Sequence, residues 1–247
     1  MKVYDTLIIG SGYASIGYAT ANKNTLVVEE HQICDTGFYL PMRSFKYKKH
    51  TPKTQEGVLL NQVFNDLALF NDNGQNLNGF ECALCKYLTI NPINILLKCR
   101  VIKNENFGDG LNKVTLYTNE GLTEVLAKKV ISSLPQIAKR RMTVLFISKN
   151  LDIDKTQILN AFSDAVIEPA FYNDRYALHF TVLDKDENTA KLTVYKKWNL
   201  LNVCAKILYI SPVFYGEDVS NNALSDFNYD NPIHAFEVGY LKGEDER

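Results

Sequence analysis

The 247-residue chain has no uninterrupted run of about eighteen apolar residues, so no membrane-spanning helix is expected. It also lacks a charge bias: 27 Lys and Arg stand against 28 Asp and Glu, a formal net charge of −1. A balance this close to neutral argues against a general attraction to nucleic acid. A strand pattern begins almost at once, which leaves no room for a secretory leader at the head of this sequence. The five cysteines are odd in number and widely scattered. Reduced thiols in a cytoplasmic protein fit that pattern better than a disulfide framework. The four histidines, His31, His50, His179 and His234, form no metal-ligand spacing. No Walker-type loop and no Ser-His-Asp order stands out.

What is present is concentrated in the first thirty residues. In Tyr4-Asp-Thr-Leu-Ile-Ile-Gly-Ser-Gly-Tyr-Ala-Ser-Ile-Gly-Tyr-Ala19, the apolar run Leu7, Ile8, Ile9 stops at Gly10, as a buried parallel strand does. Gly10 and Gly12 make a tight turn, and Ala14, Ile16, Ala19 and Ala21 give the following helix a small-residue face. Thr25-Leu-Val-Val-Glu29 reads as a second buried strand ending in an acid. In a strand–turn–helix–strand unit one glycine permits the turn. The other lets backbone amides approach a pyrophosphate at the helix N-terminus. Glu29 stands where a carboxylate accepts hydrogen bonds from an adenosine ribose. Two readings stay open: a dinucleotide site, or a unit that keeps its glycines for packing and binds nothing.

Beyond the second strand, simple strand–helix alternation does not resume. Gln55–Phe70 reads as a helix with Val58, Leu59, Val63, Phe64 and Leu67 near helical spacing, and Gly79–Leu88 as a shorter one. Asn94–Ile102 is a predicted strand and Asn104–Gly110 a turn-rich loop. Lys113–Thr118 pairs with Thr123–Leu126 across Asn119-Glu-Gly121, and Lys128–Pro135 is an apolar strand halted by proline.

This order resembles the FAD-binding domain of two-domain flavoproteins of the glutathione-reductase and amine-oxidase type, over about residues 3–135. The resemblance implies a helical insertion, a β-meander and a strand returning to the sheet near the flavin. It implies FAD as cofactor, with Gly10, Ser11, Gly12, Tyr13, Ala14 and Ser15 at the pyrophosphate. Glu29 and Glu30 would lie at the adenosine ribose, and Ser133, Leu134 and Pro135 on the flavin side. Thr36-Gly37 stands where the family often carries a Gly-Gly pair. Flavoproteins of this type also hold FAD with a late segment ending in Gly-Asp before a helix. Val213–Asp218 and Gly239–Asp245 both fall short of it, so the cradle is expected to be incomplete and completed by a protein partner or a second copy; the alternative is that the antiparallel sheet closes it within the chain.

The second half changes character. Arg141–Ile147, Ala177–Leu183, Lys191–Tyr195 and Asn202–Ile210 read as strands, and Asp152 or Asp154 could cap a helix through Phe162. Tyr172, Tyr176, Phe180, Tyr195, Trp198, Tyr209 and Phe214 suggest an aromatic sheet, either a substrate roof or ordinary core. Cys82-Ala-Leu-Cys85 has redox spacing but an apolar helical setting, which favours burial as packing. Cys34 follows the second strand as a single cysteine, where disulfide-reducing flavoproteins carry a pair, and reads as a loop residue. The basic run Arg43–Lys53 is either an anion-binding loop or a solvated one.

The expected architecture is α/β: a Rossmann-type FAD/NAD(P)-binding domain at 1–135, an antiparallel β-sheet substrate or cap region at 136–216, and a polar C-terminal segment at 217–247. The expected function is FAD-dependent oxidoreduction of a small molecule, with no nucleic acid or membrane partner. The competing reading is a non-catalytic or partner-dependent nucleotide-binding protein on the same fold. No residue is singled out as catalytic.

Overall fold

The computed structural model describes residues 1–32, 34, 37–39, 50–71, 74–134, 139–184, 186–216 and 222–247. Strand β1 (Val3–Ile9) enters helix α1 (Tyr13–Ala21) and the chain returns as β2 (Thr25–Val28), parallel to β1 with Ile9 opposite Val28. Every residue of α1 is buried, which its run of small and apolar side chains permits. Helix α2 (Gln55–Asp66) starts at Thr54, whose hydroxyl accepts from the Gly57 amide at 3.0 Å. A short ribbon, β3 (Phe70–Asn71) and β4 (Gly74–Gln75), and a 3-10 turn at Leu77–Gly79 lead into α3 (Phe80–Ile90). These elements are the predicted helical insertion.

Strands β5 (Asn94–Leu96), β6 (Arg100–Gly108), β7 (Leu111–Thr118) and β8 (Gly121–Ser132) complete a six-stranded sheet of order β5-β2-β1-β8-β7-β6. The first four strands in that order are parallel, and β8, β7 and β6 form the antiparallel meander. The single strand expected over Asn94–Ile102 is instead two, divided at Lys98, where φ is +51°. The expected loop at Asn104–Gly110 is mostly strand, because Asn104 and Glu105 pair with Val114 and Lys113. Cross-strand pairing here overrides the turn preference of Asn and Gly. The meander end and the return strand are one element, β8, antiparallel to β7 at its start and parallel to β1 at its end.

The second sheet is antiparallel throughout. Strand β9 (Lys139–Ile147) is followed by α4 (Leu151–Ala161), β10 (Val166–Pro169), β11 (Arg175–Thr181), α5 (Glu187–Leu200), β12 (Lys206–Ile210) and β13 (Phe214–Gly216). The order is β10-β11-β9-β12, with β13 also pairing β9. The strand expected at Lys191–Tyr195 is wrong: those residues lie inside α5. Asp186 caps that helix by accepting from the Thr189 amide at 2.7 Å, and Ala190, Val194 and Trp198 are buried at four-residue spacing. Tyr195 and Trp198 therefore belong to a helix, where Trp198 packs edge-on to Phe146 with centroids 5.3 Å apart.

One face of the second sheet, carrying Val144, Phe146 and Leu178, packs with Ile158, Val194 and Trp198. Leu145, its side chain alternating to the other face, packs against the core of the first unit, among residues such as Tyr13, Phe38, Phe64 and Phe80. A 3-10 turn at Asp226–Asn228 and helix α6 (Pro232–Asp245) finish the described chain. The C-terminal stretch, expected as a polar segment, carries α6, which packs on α1. The two helices meet backbone to backbone: a Cβ on Gly239 would collide with the Ala14 carbonyl, and one on Gly17 with the Phe236 carbonyl.

Candidate cofactor site

Gly10 ends β1 with φ +103°, a left-handed conformation that favours glycine. The Gly10 amide donates to the Val28 carbonyl at 2.8 Å, so the turn is pinned to β2. Gly12 is the N-cap of α1 and supplies no side chain to its free amides. Those amides are nevertheless satisfied. Tyr13 N donates to Asp226 Oδ2 at 2.7 Å and Ala14 N to Asp226 Oδ1 at 2.9 Å. Asp226 itself is buried. Sequence reasoning missed it: no apolar run leads into Ser225-Asp226, and five residues separate it from the helix that the family pattern would place directly behind it.

Glu29, at the end of β2, is buried and accepts four hydrogen bonds. Oε2 accepts from Ser11 N and Ser11 Oγ, both at 2.9 Å, and Oε1 from His31 N at 2.9 Å and His31 Nδ1 at 2.7 Å. Four donors fill the acceptor capacity of a carboxylate. Burial alone would raise the Glu29 pKa, but the His31 and Ser11 hydrogen bonds outweigh it and hold the carboxyl below its usual range. The same carboxylate raises the His31 pKa, against the opposing effect of burial. Glu30 is exposed, 3.6 Å from the Arg100 guanidinium.

Ser133 folds back on the turn, with N and Oγ donating to the Ile9 carbonyl at 2.8 and 2.9 Å. Leu134 is exposed beside Gly10. The hydroxyls of Ser15 and Ser225 are buried with no hydrogen-bond partner among the described residues. The ten candidate residues thus converge on one turn, Glu30 excepted. Thr36, Arg43 to Lys49, Pro135, Glu217 and Asp218 lie outside the described residues.

The donor set fits an anion, since two backbone N–H groups at a helix N-terminus already converge on a carboxylate. The space between Gly12 and Gly37 fits one too, because a Cβ on either would strike Asp226. The ribose end is internally engaged through Glu29.

A cavity of about 320 Å³ lies between the helical insertion and the second sheet. It is bounded by Asn76–Asn78 on one side and by Leu145, Phe171, Tyr172, Arg175 and Tyr209 on the other. The Arg175 guanidinium lies over the Tyr172 ring, 4.5 Å from its centroid. Of the histidines, His179 shares a hydrogen bond with Thr143 Oγ1 through Nδ1 at 2.8 Å, as a sheet residue would. His50 Nε2 meets Glu237 Oε2 at 2.5 Å, and its ring stacks on His234. Among the described residues no group of three His, Cys, Asp or Glu could hold a metal, and no helix is long and apolar enough to cross a membrane.

Cys82 and Cys85 are exposed on α3, while Phe80, Ala83, Leu84 and Tyr87 face the core. The expected burial of the pair is therefore incorrect, because the helix turns its aromatic side inward. Cys34 is buried.

No protein-family model matches the chain, and no curated protein matches it in sequence. Solved structures do match it in fold. A geranylgeranyl bacteriochlorophyll reductase-like protein from Thermoplasma acidophilum superposes with a TM-score of 0.58 at 10% identity, covering 100% of this chain and 78% of that one. BexE, studied for oxidation during BE-7585A biosynthesis, gives 0.53 at 11% identity, covering 86% of this chain and 52% of that one. Aklavinone-11 hydroxylase, solved with FAD and aklavinone, gives 0.52 at 11% identity, covering 86% and 53%. The chain spans about half the length of the latter two. The fold is that of Rossmann-type FAD-binding oxidoreductases.

Proposed function

We propose that the chain is an FAD-dependent oxidoreductase acting on an apolar, planar small molecule. The observation that carries this reading is the convergence of the Tyr13 and Ala14 amides on an anion beside Gly12, on a fold shared with FAD proteins. Gly12, Tyr13 and Ala14 would hold the pyrophosphate, Glu29 the adenosine ribose, and Ser133 and Leu134 the flavin side. FAD, when bound, supplies two-electron redox chemistry.

The chain's own part is binding and orientation. The cavity walls offer aromatic faces from Phe171, Tyr172 and Tyr209 and an aliphatic floor from Leu145. These suit a ring system, and its size falls at the small end of ligand pockets, about 300–1,000 Å³. Arg175 would orient an acidic or phenolate oxygen at the rim. A purified protein with a flavin absorbance band, whose flavin passes into the filtrate once the protein is denatured, is the expected result. A colourless protein that gains no band on incubation with FAD would refute the reading.

A second reading has its own support. Glu29 and the α1 amides are already satisfied within the chain, which favours a non-catalytic protein retaining the fold. Binding of adenine nucleotides without flavin would favour that alternative. A cofactor site completed by a protein partner or by self-association would be marked by flavin lost on dilution.

A further inference from the structure

The first sheet ends at β6, whose outer side meets no strand among the described residues. We propose that this edge docks the β6 of a second copy of the chain, antiparallel and centred on Asn104, so that the two sheets become one. The proposal stands apart from the flavin reading, because β6 carries none of the candidate cofactor residues.

Three observations carry it. First, the edge is long and open. Strand β6 runs for nine residues, and all of them except Val101 are exposed. Such an edge offers a row of N–H and C=O groups to a strand of matching length. Ile102 and Phe107 are 55% and 56% exposed, one at each of the two register shifts that β6 makes against β7. Apolar side chains flanking an open edge mark a surface that a docked strand would cover.

Second, the charges of β6 are antisymmetric about Asn104. Lys103 precedes it and Glu105 follows it, while Arg100 lies at the start of the strand and Asp109 just past its end. Lys103 and Glu105 share one face of the strand and form an ion pair at 2.8 Å. In two antiparallel copies centred on Asn104, each Lys103 stands opposite Glu105 of the second copy, on the same face. The two-fold symmetry makes that pair twice. Phe107 of each copy falls opposite Val101 and beside Ile102 of the other. A parallel, in-register arrangement would set like charge beside like.

Third, the other edge of the sheet is a poor partner. Strand β5 has three residues, Asn94–Leu96, and no charge. Joining β6 to β5 of the next copy would also leave a free edge at each end and propagate as a filament. Two β6 edges close on each other. Between its two bulges, Lys103–Asn106 keeps unbroken register with β7, and this regular stretch holds the centre of the joint.

The test is sedimentation velocity on the full chain over a wide concentration range. The samples are the wild type, Lys103→Glu, Glu105→Lys, the double variant, and an equal mixture of the two single variants. The wild type is expected to show a concentration-dependent monomer–dimer equilibrium. Each single variant should dimerise about tenfold or more weakly, since both cross-copy pairs become like-charged. The double variant and the mixture should both recover, because each restores a Lys opposite a Glu. All the substituted positions are exposed, so circular dichroism should be unchanged throughout. A wild type that stays monomeric at the highest concentration would overturn the proposal. So would a dimer indifferent to charge reversal, or one that neither the double variant nor the mixture restores. The same outcome is expected with and without added FAD. A dimer formed only with FAD would belong to the cofactor site and would overturn this edge as the joint.

Discussion

Glu237 on α6 and Thr54 ahead of α2 are joined twice through one oxygen: Glu237 Oε1 accepts the Thr54 amide at 2.6 Å and its hydroxyl at 2.9 Å. The Lys53 amide donates to the same oxygen at 2.6 Å. A buried carboxylate thus anchors the start of one helix to the middle of another, favoured by the positive end of the α2 dipole. Glu237→Gln should lower stability by about 1–3 kcal/mol, measured by urea denaturation at neutral pH. Burial alone would raise this carboxyl, but the His50, Thr54 and Lys53 hydrogen bonds hold it below the usual range. A depressed folded-state pKa gives stability that is present above about 4.3 and is lost as pH falls through the folded value. Glu237→Gln should lack that part of the acid sensitivity.

The crossing of α1 and α6 leaves no room for a methyl group. Gly239→Ala would drive its Cβ into the Ala14 carbonyl, backbone against backbone. We expect a loss of about 1–3 kcal/mol or more from forced separation of the helices. An unchanged denaturation midpoint would contradict the close crossing.

The Glu29–His31 pair should respond to pH from both sides. The lowered Glu29 pKa gives a contribution lost as pH falls through its folded value. The raised His31 pKa gives one that is full below about 6.5 and lost as pH rises through the folded value. The pair is therefore strongest between the ordinary carboxylate and ordinary imidazole pKa values, about 4.3 to 6.5. Proton NMR should show His31 titrating higher in the wild type than in Glu29→Gln, with His234 moving little.

Native thiol labelling should separate the cysteines into two classes. Cys82, Cys85 and Cys204 are exposed and should react, while Cys34 and Cys99 are buried and should react only on unfolding. Burial first, then the Glu81 and Cys82 charges, raise the Cys85 pKa, so Cys85 should label slowly for an exposed thiol. A double Cys82→Ser, Cys85→Ser variant should change stability by less than about 0.5 kcal/mol. Loss of a redox step in that variant would contradict a purely surface role.

The first unit was legible because its signals are local. Leu7 to Gly12 encode a buried strand and a turn within six residues, and β7–β8 encode a hairpin across Asn119–Gly121. Helix α5 was missed although its signal was present. Asp186 is a capping residue, and Ala190, Val194 and Trp198 repeat every fourth position, but the apolar alternation around Leu192 and Val194 mimicked a strand. The Cys82–Cys85 orientation failed for a related reason: Phe80, Leu84 and Tyr87 compete for the same inward face, and the larger side chains win it. Asp226 could not be read at all. Its role depends on meeting Tyr13 and Ala14 through tertiary packing, and nothing near it in the chain marks it.

The burial of α1 against α6 sets the order in which the chain can mature during synthesis. Helix α1 is made about two hundred residues before the surface that covers it. At about 5–20 residues per second, the ribosome takes on the order of 10–40 s to deliver α6. Through that interval β1, α1 and β2 wait with an apolar helix uncovered, and such intermediates attract chaperones or aggregate. The long sequence separation of this contact also makes its closure entropically slow. Arrest just before Pro232 should therefore leave a nascent chain whose α1 remains open to protease, and release beyond Asp245 should close it.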